Sequence, residues 1–297
     1  QPTGATLRAL SSDGVLQLDV DASEVHQLTN SAVLDGALIP RLGYLGLITN
    51  GDISVQPTDL RGSARLIGHG AQAFAADRPD ALWVINNDTI GEIDGAGRQL
   101  VPPAPYPGFA ASISVAAGVA TYTQQDGLIV WDPESHRTVC RLGTPGEAIA
   151  GSGDLLAWLD PQAGLHLTDV SACQTRAVER PDPASYPGFI GAAGAFSPDG
   201  RTLACYIALW TGGERVTLRL ALVDVASGRV TVPRAPDGTA TVEPIVWTGN
   251  SQRLFFTIET TGGAPLPATY QLGQTALSPL RYRATPRFSV LAVVPPR

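Results

Sequence analysis

The chain has 297 residues, 44% of them hydrophobic and 16% charged, which excludes a disordered segment or a highly solvated helical protein and demands a large buried core. Gly (32) and Pro (24) are abundant but follow no collagen period, so they mark turns. A net charge of −7 opposes phosphate backbones and argues against nucleic acid as a partner.

All 20 basic residues are Arg, as GC-rich coding would produce, and Met is absent. The chain is therefore expected to be processed or trimmed, with an N-terminal signal or anchor removed before Gln1. Its longest apolar runs, such as Phe288–Val294, fall far short of the roughly 20 residues that span a bilayer. Three cysteines make no disulfide scaffold, and none lies in a C-x-x-C pair, so neither a structural metal nor a cofactor is expected.

From Ala5 onward, short runs of Val, Leu, Ile, Thr and aromatics alternate with Gly, Asp, Pro or Asn turns, the pattern of many short strands. In chain order these runs fall at 15–20, 45–49, 82–86, 128–132, 155–159, 165–170, 203–209, 216–225 and 254–259. No helix of three turns is expected. The turn ahead of the third strand in each unit recurs at Gly14, Gly51, Asp88, Gly127 and Gly164, in steps of 37, 37, 39 and 37 residues. Two longer units follow, marked by Thr211-Gly212-Gly213 and Thr261-Gly262-Gly263, 50 residues apart, with extra residues in the hairpin between second and third strands. Wrapping from Gly263 through the C-terminus to Gly14 takes 48 residues, close to the longer step.

A period near 40 with four strands per unit predicts an all-β, seven-bladed β-propeller of four-stranded blades, occupying 1–297 as a single domain. The N-terminus has no room for the innermost strand of the first blade, so the C-terminal run Phe288–Val294 is expected to supply it and remove an exposed edge. An open solenoid is the structural rival, but it would need polar caps that the pattern lacks.

The sequence resembles degenerate WD40-like propellers and the TolB-type β-propellers of bacterial cell envelopes. Phe196-Ser197-Pro198-Asp199-Gly200-Arg201-Thr202-Leu203-Ala204 matches the turn between first and second strands in those repeats. Asp126-Gly127-Leu128-Ile129-Val130-Trp131-Asp132 resembles the WD third-strand ending, and Leu66-Ile67-Gly68-His69 resembles the Gly-His segment leading into a blade, here the third. The WD hydrogen-bonded tetrad is not expected, because His69 and Trp131 belong to different units. The resemblance implies an interaction or scaffolding platform, often exported, and no particular chemistry.

No nucleophile elbow, zinc helix, Walker loop or Rossmann glycine pattern is present. His26, His69, His136 and His166 fall in different units without ligand spacing, and Asp-Gly pairs such as Asp13-Gly14 read as hairpin turns rather than calcium loops. The tetrapeptides Tyr106-Pro107-Gly108-Phe109 and Tyr186-Pro187-Gly188-Phe189 are identical and 80 residues apart, two repeat periods. They lead into the fourth and sixth blades on the same end of the disc as the two Thr-Gly-Gly hairpins, His69 and Trp210. Phe109 and Phe189 are expected to plug between blades, whereas the end they frame is the expected binding surface, carried by His69, Tyr106, Phe109, Tyr186, Phe189 and Trp210. Cys140 and Cys173 occupy nearly corresponding places in neighbouring units, which in an exported protein predicts an interblade disulfide with Cys205 as a buried free thiol.

The resulting expectation is a non-catalytic, extracytoplasmic, monomeric propeller that binds another protein or a cell-envelope component. The alternative is a small-ligand receptor or enzyme whose site lies in the central funnel.

Overall fold

The computed structural model describes residues 5–11, 14–28, 38–41, 44–49, 51–57, 63–76, 78, 81–86, 88–105, 114–116, 119–124, 127–212, 216–260, 265–282 and 288–294. Among these residues the strands form seven four-stranded sheets. The first joins β28 (Phe288–Val294) to β1 (Thr6–Ser11), β2 (Gly14–Asp19) and β3 (Glu24–Gln27). The second runs β4 (Leu38–Arg41), β5 (Tyr44–Thr49), β6 (Asp52–Pro57), β7 (Arg65–His69), and the third β8 (Gln72–Ala75), β9 (Ala81–Asn86), β10 (Thr89–Asp94), β11 (Gln99–Pro105). The fourth comprises β12 (Ser114–Ala116), β13 (Val119–Gln124), β14 (Gly127–Asp132) and β15 (Arg137–Leu142), and the fifth β16 (Glu147–Ser152), β17 (Leu155–Leu159), β18 (Leu165–Asp169) and β19 (Gln174–Val178). The sixth contains β20 (Phe189–Phe196), β21 (Thr202–Trp210), β22 (Val216–Asp224) and β23 (Val230–Thr231), and the seventh β24 (Thr239–Trp247), β25 (Arg253–Thr260), β26 (Leu266–Gln271) and β27 (Ser278–Pro279).

The repeat markers sit where the period places them. Gly14, Gly51, Asp88, Gly127 and Gly164 each stand at or just before a third strand, namely β2, β6, β10, β14 and β18. The arrangement is an all-β propeller. β28 pairs antiparallel with β1 from Thr6↔Val294 to Ser11↔Phe288, with an irregularity between Arg8 and Ala9, so the first sheet is completed by the C-terminal run.

Contacts divide the chain into two compact units, one comprising Gln1–Ala32, Pro161–Leu167 and Arg176–Arg297, the other Val33–Asp160 and Thr168–Thr175. In the first, alternate residues of β21 and β22 (Ala204, Tyr206, Leu220, Leu222) pack on Leu254, Phe256, Ile258 and Tyr270 of the seventh sheet. Leu7, Leu16 and Leu18 of the first sheet pack with Phe255 from the opposite face of β25. In the second unit, Trp83, Ile85 and Ile90 pack on Ile129 and Trp131, while Leu128, Val130 and Leu142 pack on Leu156 and Trp158.

One turn design recurs after the third strand. Asp19, Asp94, Asp132, Asp169 and Asp224 close third strands, and each carboxylate accepts hydrogen bonds from groups two to four residues on. The turn then needs a residue with positive φ before the fourth strand, met by Gly97 (81°) and Gly228 (73°) but also by Ser23 (56°), His136 (58°) and Cys173 (51°). Ser23→Gly is therefore expected to stabilise the fold by about 0.5–1 kcal/mol, read as a rise in the chemical denaturation midpoint. No gain would show that Ser23 carries no strain.

The segment that resembles TolB-type repeats makes the first-to-second-strand turn of the sixth sheet. Ser197 Oγ donates to Asp199 Oδ1 (2.6 Å) and accepts from Thr202 N–H (3.0 Å). Thr248 does the same with Asn250 and Arg253 in the seventh sheet, at 2.7 and 3.1 Å. The two turns are joined because Asp199 N–H donates to Ser251 Oγ at 3.0 Å.

The Trp131 indole packs 5.8 Å from the His136 ring. A relay holds the fifth sheet: Trp158 Nε1 donates to Thr168 Oγ1 at 2.9 Å, and that hydroxyl lies 2.8 Å from Thr175 Oγ1. Arg78 bridges the third and fourth sheets, donating to Glu92 Oε2 (2.8 Å) and Glu134 Oε1 (2.7 Å). Cys140 of β15 is bonded to Cys173 in the turn before β19, with Cα atoms 5.5 Å apart, and Cys205 is a buried free thiol.

Candidate functional site

The sixth sheet is the most unequal of the seven. β21 and β22 have nine residues each and pair along their whole length, from Thr202↔Asp224 to Trp210↔Val216. Their neighbours stop earlier: the β20 pairing begins at Phe189↔Ile207, and β23 meets only Leu222 and Val223. The far end of this hairpin thus extends beyond both flanking strands.

On one side, the 185–188 loop takes the place of a strand, because Ala208 N–H donates to Gly188 O and Trp210 N–H donates to Ser185 O, at 2.9 and 2.8 Å. This gives the tetrapeptide at 186–189 its structural reason. A Cβ at Gly188 would lie 2.6 Å from that of Ala163, so only glycine permits the approach that lets Phe189 N–H reach Ala163 O at 2.9 Å. Arg180 donates to Pro187 O, and Tyr186 N–H donates to Asp182 O at 2.8 Å.

On the other side, residues 216–221 of β22 make no ladder with β23, so among the described residues this edge runs unpaired for roughly 20 Å at about 3.3 Å per residue. Alternation along β21 and β22 puts Trp210, Val216 and Leu218 on the same face as Tyr206 and Leu220, the face turned to the seventh sheet. Trp210 and Val216 are 48% and 52% exposed. The other exposed large hydrophobics among the described residues, Leu66, Leu100 and Val139, stand singly on last strands of other sheets and need no special account. A directly cross-strand Trp–Val pair in water is different, since its burial would release a large apolar surface.

The polar surround comes from Arg219, which donates to Thr239 O. Burial lowers its guanidinium from the ordinary arginine value, and the nearby Tyr186 and Asp237 pull it back. Asp182 is held below the usual carboxylate range by the Ser185 hydroxyl and the Ala184 N–H. The site therefore presents an apolar tip over a polar base.

Of the expected binding residues, the structure places Tyr186 and Trp210 on neighbouring segments linked by the Trp210–Ser185 backbone bond. Phe189 is corrected as a contact residue: its side chain is 1% exposed, so the ring anchors β20 in the core and cannot meet a partner. His69 does not lead into the third sheet. It ends β7, the last strand of the second, paired across from Asp52, with Nδ1 2.7 Å from the Asp52 carboxylate and both side chains exposed. Tyr106 and Phe109 lie outside the described residues. Val216 and the unpaired β22 stretch lie outside the expected binding residues; the alternation of Val216, Leu218 and Leu220 is the signal that points to them.

No family model matches the chain, and no curated protein matches it in sequence. Solved structures do match in fold. TolB from Acinetobacter baumannii is 13% identical, with a TM-score of 0.57 over 99% of this chain and 67% of its own. A quinonprotein alcohol dehydrogenase-like protein from Bacteroides thetaiotaomicron is 9% identical, with a TM-score of 0.64 over 98% of this chain and 78% of its own. The β-propeller domain of the trilobed protease from Pyrococcus furiosus is 11% identical, with a TM-score of 0.63 over 92% and 88%. The chain is thus a β-propeller protein of the architecture seen in TolB and several other propellers. At these identities the likeness is one of fold, and fold alone names no activity.

Proposed function

We propose that the protein is a non-catalytic, extracytoplasmic interaction module in which the seven sheets are the blades of one closed ring, and that it binds another protein or an envelope component. The exposed Trp210–Val216 pair at the tip of the β21–β22 hairpin carries this reading. Tryptophan held on a rigid strand supplies a large contact area at little entropic cost, and Tyr186 and Arg219 give the polar margin that such contacts use. The Cys140–Cys173 bridge supports an oxidising compartment. Among the described residues no three His, Cys, Asp or Glu side chains come together, and no helix is long and apolar enough to cross a membrane.

The test is in-cell photocrosslinking at Val216 in the producing organism, followed by affinity measurement with the captured partner. Trp210→Ala is expected to weaken binding by about 30-fold, the loss usual for a central tryptophan, with the thermal midpoint retained. Unchanged affinity in Trp210→Ala and in Val216→Ser would remove this end of the sheet from recognition.

A further inference from the structure

The third-strand turn of the sixth sheet pairs an aspartate with an arginine, as that of the third does, but leaves the aspartate's second oxygen open, as Asp19 and Asp169 also do. In the third sheet, Asp94 and Arg98 flank the turn and close on each other: Arg98 Nε donates to Asp94 Oδ2 at 2.6 Å, while Asp94 Oδ1 takes the N–H groups of Ala96 and Arg98. In the fourth, Asp132 commits both oxygens, one to Glu134 N–H and one to the Ser135 hydroxyl. In the sixth, Asp224 and Arg229 hold the same places, and Asp224 N–H donates to Arg229 O at 2.9 Å. Here both bonds from Ser227 fall on Oδ1, at 2.7 and 2.6 Å. Among the described residues, Oδ2 takes no hydrogen bond and the Arg229 guanidinium has neither hydrogen-bond nor ion-pair partner.

This open pair lines a cleft of about 330 Å³ between the sixth and seventh sheets. Leu222 and Leu272 form an apolar wall, and Thr231 and Gln274 add polar atoms. The Ser227 bonds hold Asp224 below the usual carboxylate range, with Arg229 and Arg176 adding to the effect, so its charge persists at neutral pH. Arg176 itself donates to Val225 O. The cleft therefore offers one anion and one cation with unspent hydrogen-bonding capacity, beside a wall suited to an aliphatic chain. A neutral polyol would use neither charge, and a simple anion would leave Asp224 Oδ2 without a donor.

We propose that this cleft binds a small α-amino acid zwitterion, its carboxylate on Arg229, its ammonium on Asp224 Oδ2 and its side chain against Leu222 and Leu272. The cleft is separate from the Trp210 tip and does not depend on the protein-binding reading. Calorimetric titration of the intact protein with L-leucine is the test, with 4-methylpentanoate, 3-methylbutylamine and glucose as comparison probes. Saturable L-leucine binding is expected, at least about tenfold tighter than either half-molecule. Arg229→Gln should weaken it by at least about tenfold, and Thr231→Trp, which fills the cleft while leaving both charges, should abolish it with the thermal midpoint retained. No heat with L-leucine at 10 mM, equal affinity for 4-methylpentanoate, binding of glucose alone, or L-leucine binding unchanged in both variants would each overturn the assignment.

Discussion

Reduction of the Cys140–Cys173 bridge is expected to destabilise the protein by about 3–4 kcal/mol, the chain-entropy value for a 33-residue separation. For a chain of 297 residues that is a fall of about 5–6 °C in the thermal midpoint. The bridge ties the last strand of the fourth sheet to a turn in the fifth, so its loss frees two sheets to separate at the rim. Cys140→Ser/Cys173→Ser in the absence of reductant should show the same loss as reduction of the native chain. Thiol counting supplies an independent readout. Burial pushes the Cys205 thiol up to about 12, so the oxidised folded protein should show no reactive thiol and the unfolded one a single thiol. Equal midpoints with and without reductant, or three thiols on unfolding without reductant, would contradict the bridge.

Arg78→Met is expected to cost about 2–3 kcal/mol. Glu92 is 2% exposed on its side chain, and Arg78 reaches it from the surface with one nitrogen while holding Glu134 with the other. Removing the guanidinium strips a counter-charge from a carboxylate that water cannot reach. Because Arg78 is itself 43% exposed, solvent screens part of the interaction and the expected cost is set below that of a fully buried pair. Adding Glu92→Gln to Arg78→Met should recover part of the loss in urea unfolding, whereas Glu134→Gln alone should cost less than 1 kcal/mol, as exposed pairs do. If Arg78→Met is as stable as the parent, the cluster holds nothing together.

Much of the architecture could be read in the spacing of turns, because every sheet needs the same hairpin at the same place. The steps between Gly14, Gly51, Asp88, Gly127 and Gly164 mark real third strands, and the apolar run Phe288–Val294 does complete the first sheet. The Cys140–Cys173 pairing could be anticipated for a related reason: the two stand at nearly corresponding places in adjacent repeats, Cys173 taking the turn position that His136 has before β15. Less visible were features that depend on how far each strand extends. Trp210 was readable as a surface residue, but its exposure depends on β20 starting at Phe189 and β23 having two residues, and neither boundary has a local signature. Phe189 joins the expected surface through its tetrapeptide, although its side chain is buried and the glycine before it brings the backbone up to Ala163. The Arg78–Glu92–Glu134 cluster joins residues 14 and 56 positions apart, a spacing that no repeat or motif encodes. By contrast, the turn residues with positive φ could have been found, since Ser23, His136 and Cys173 each stand four places after a strand-ending Asp.

The union of β28 with β1 also sets a timetable for biosynthesis. Ser11 finds its partner only when Phe288 has left the ribosome, 277 positions later. At 5–20 residues per second, that is a wait on the order of 15–60 s. Through this interval β1 offers an unpaired edge to any passing strand, so nascent or C-terminally shortened chains should be the species that aggregate.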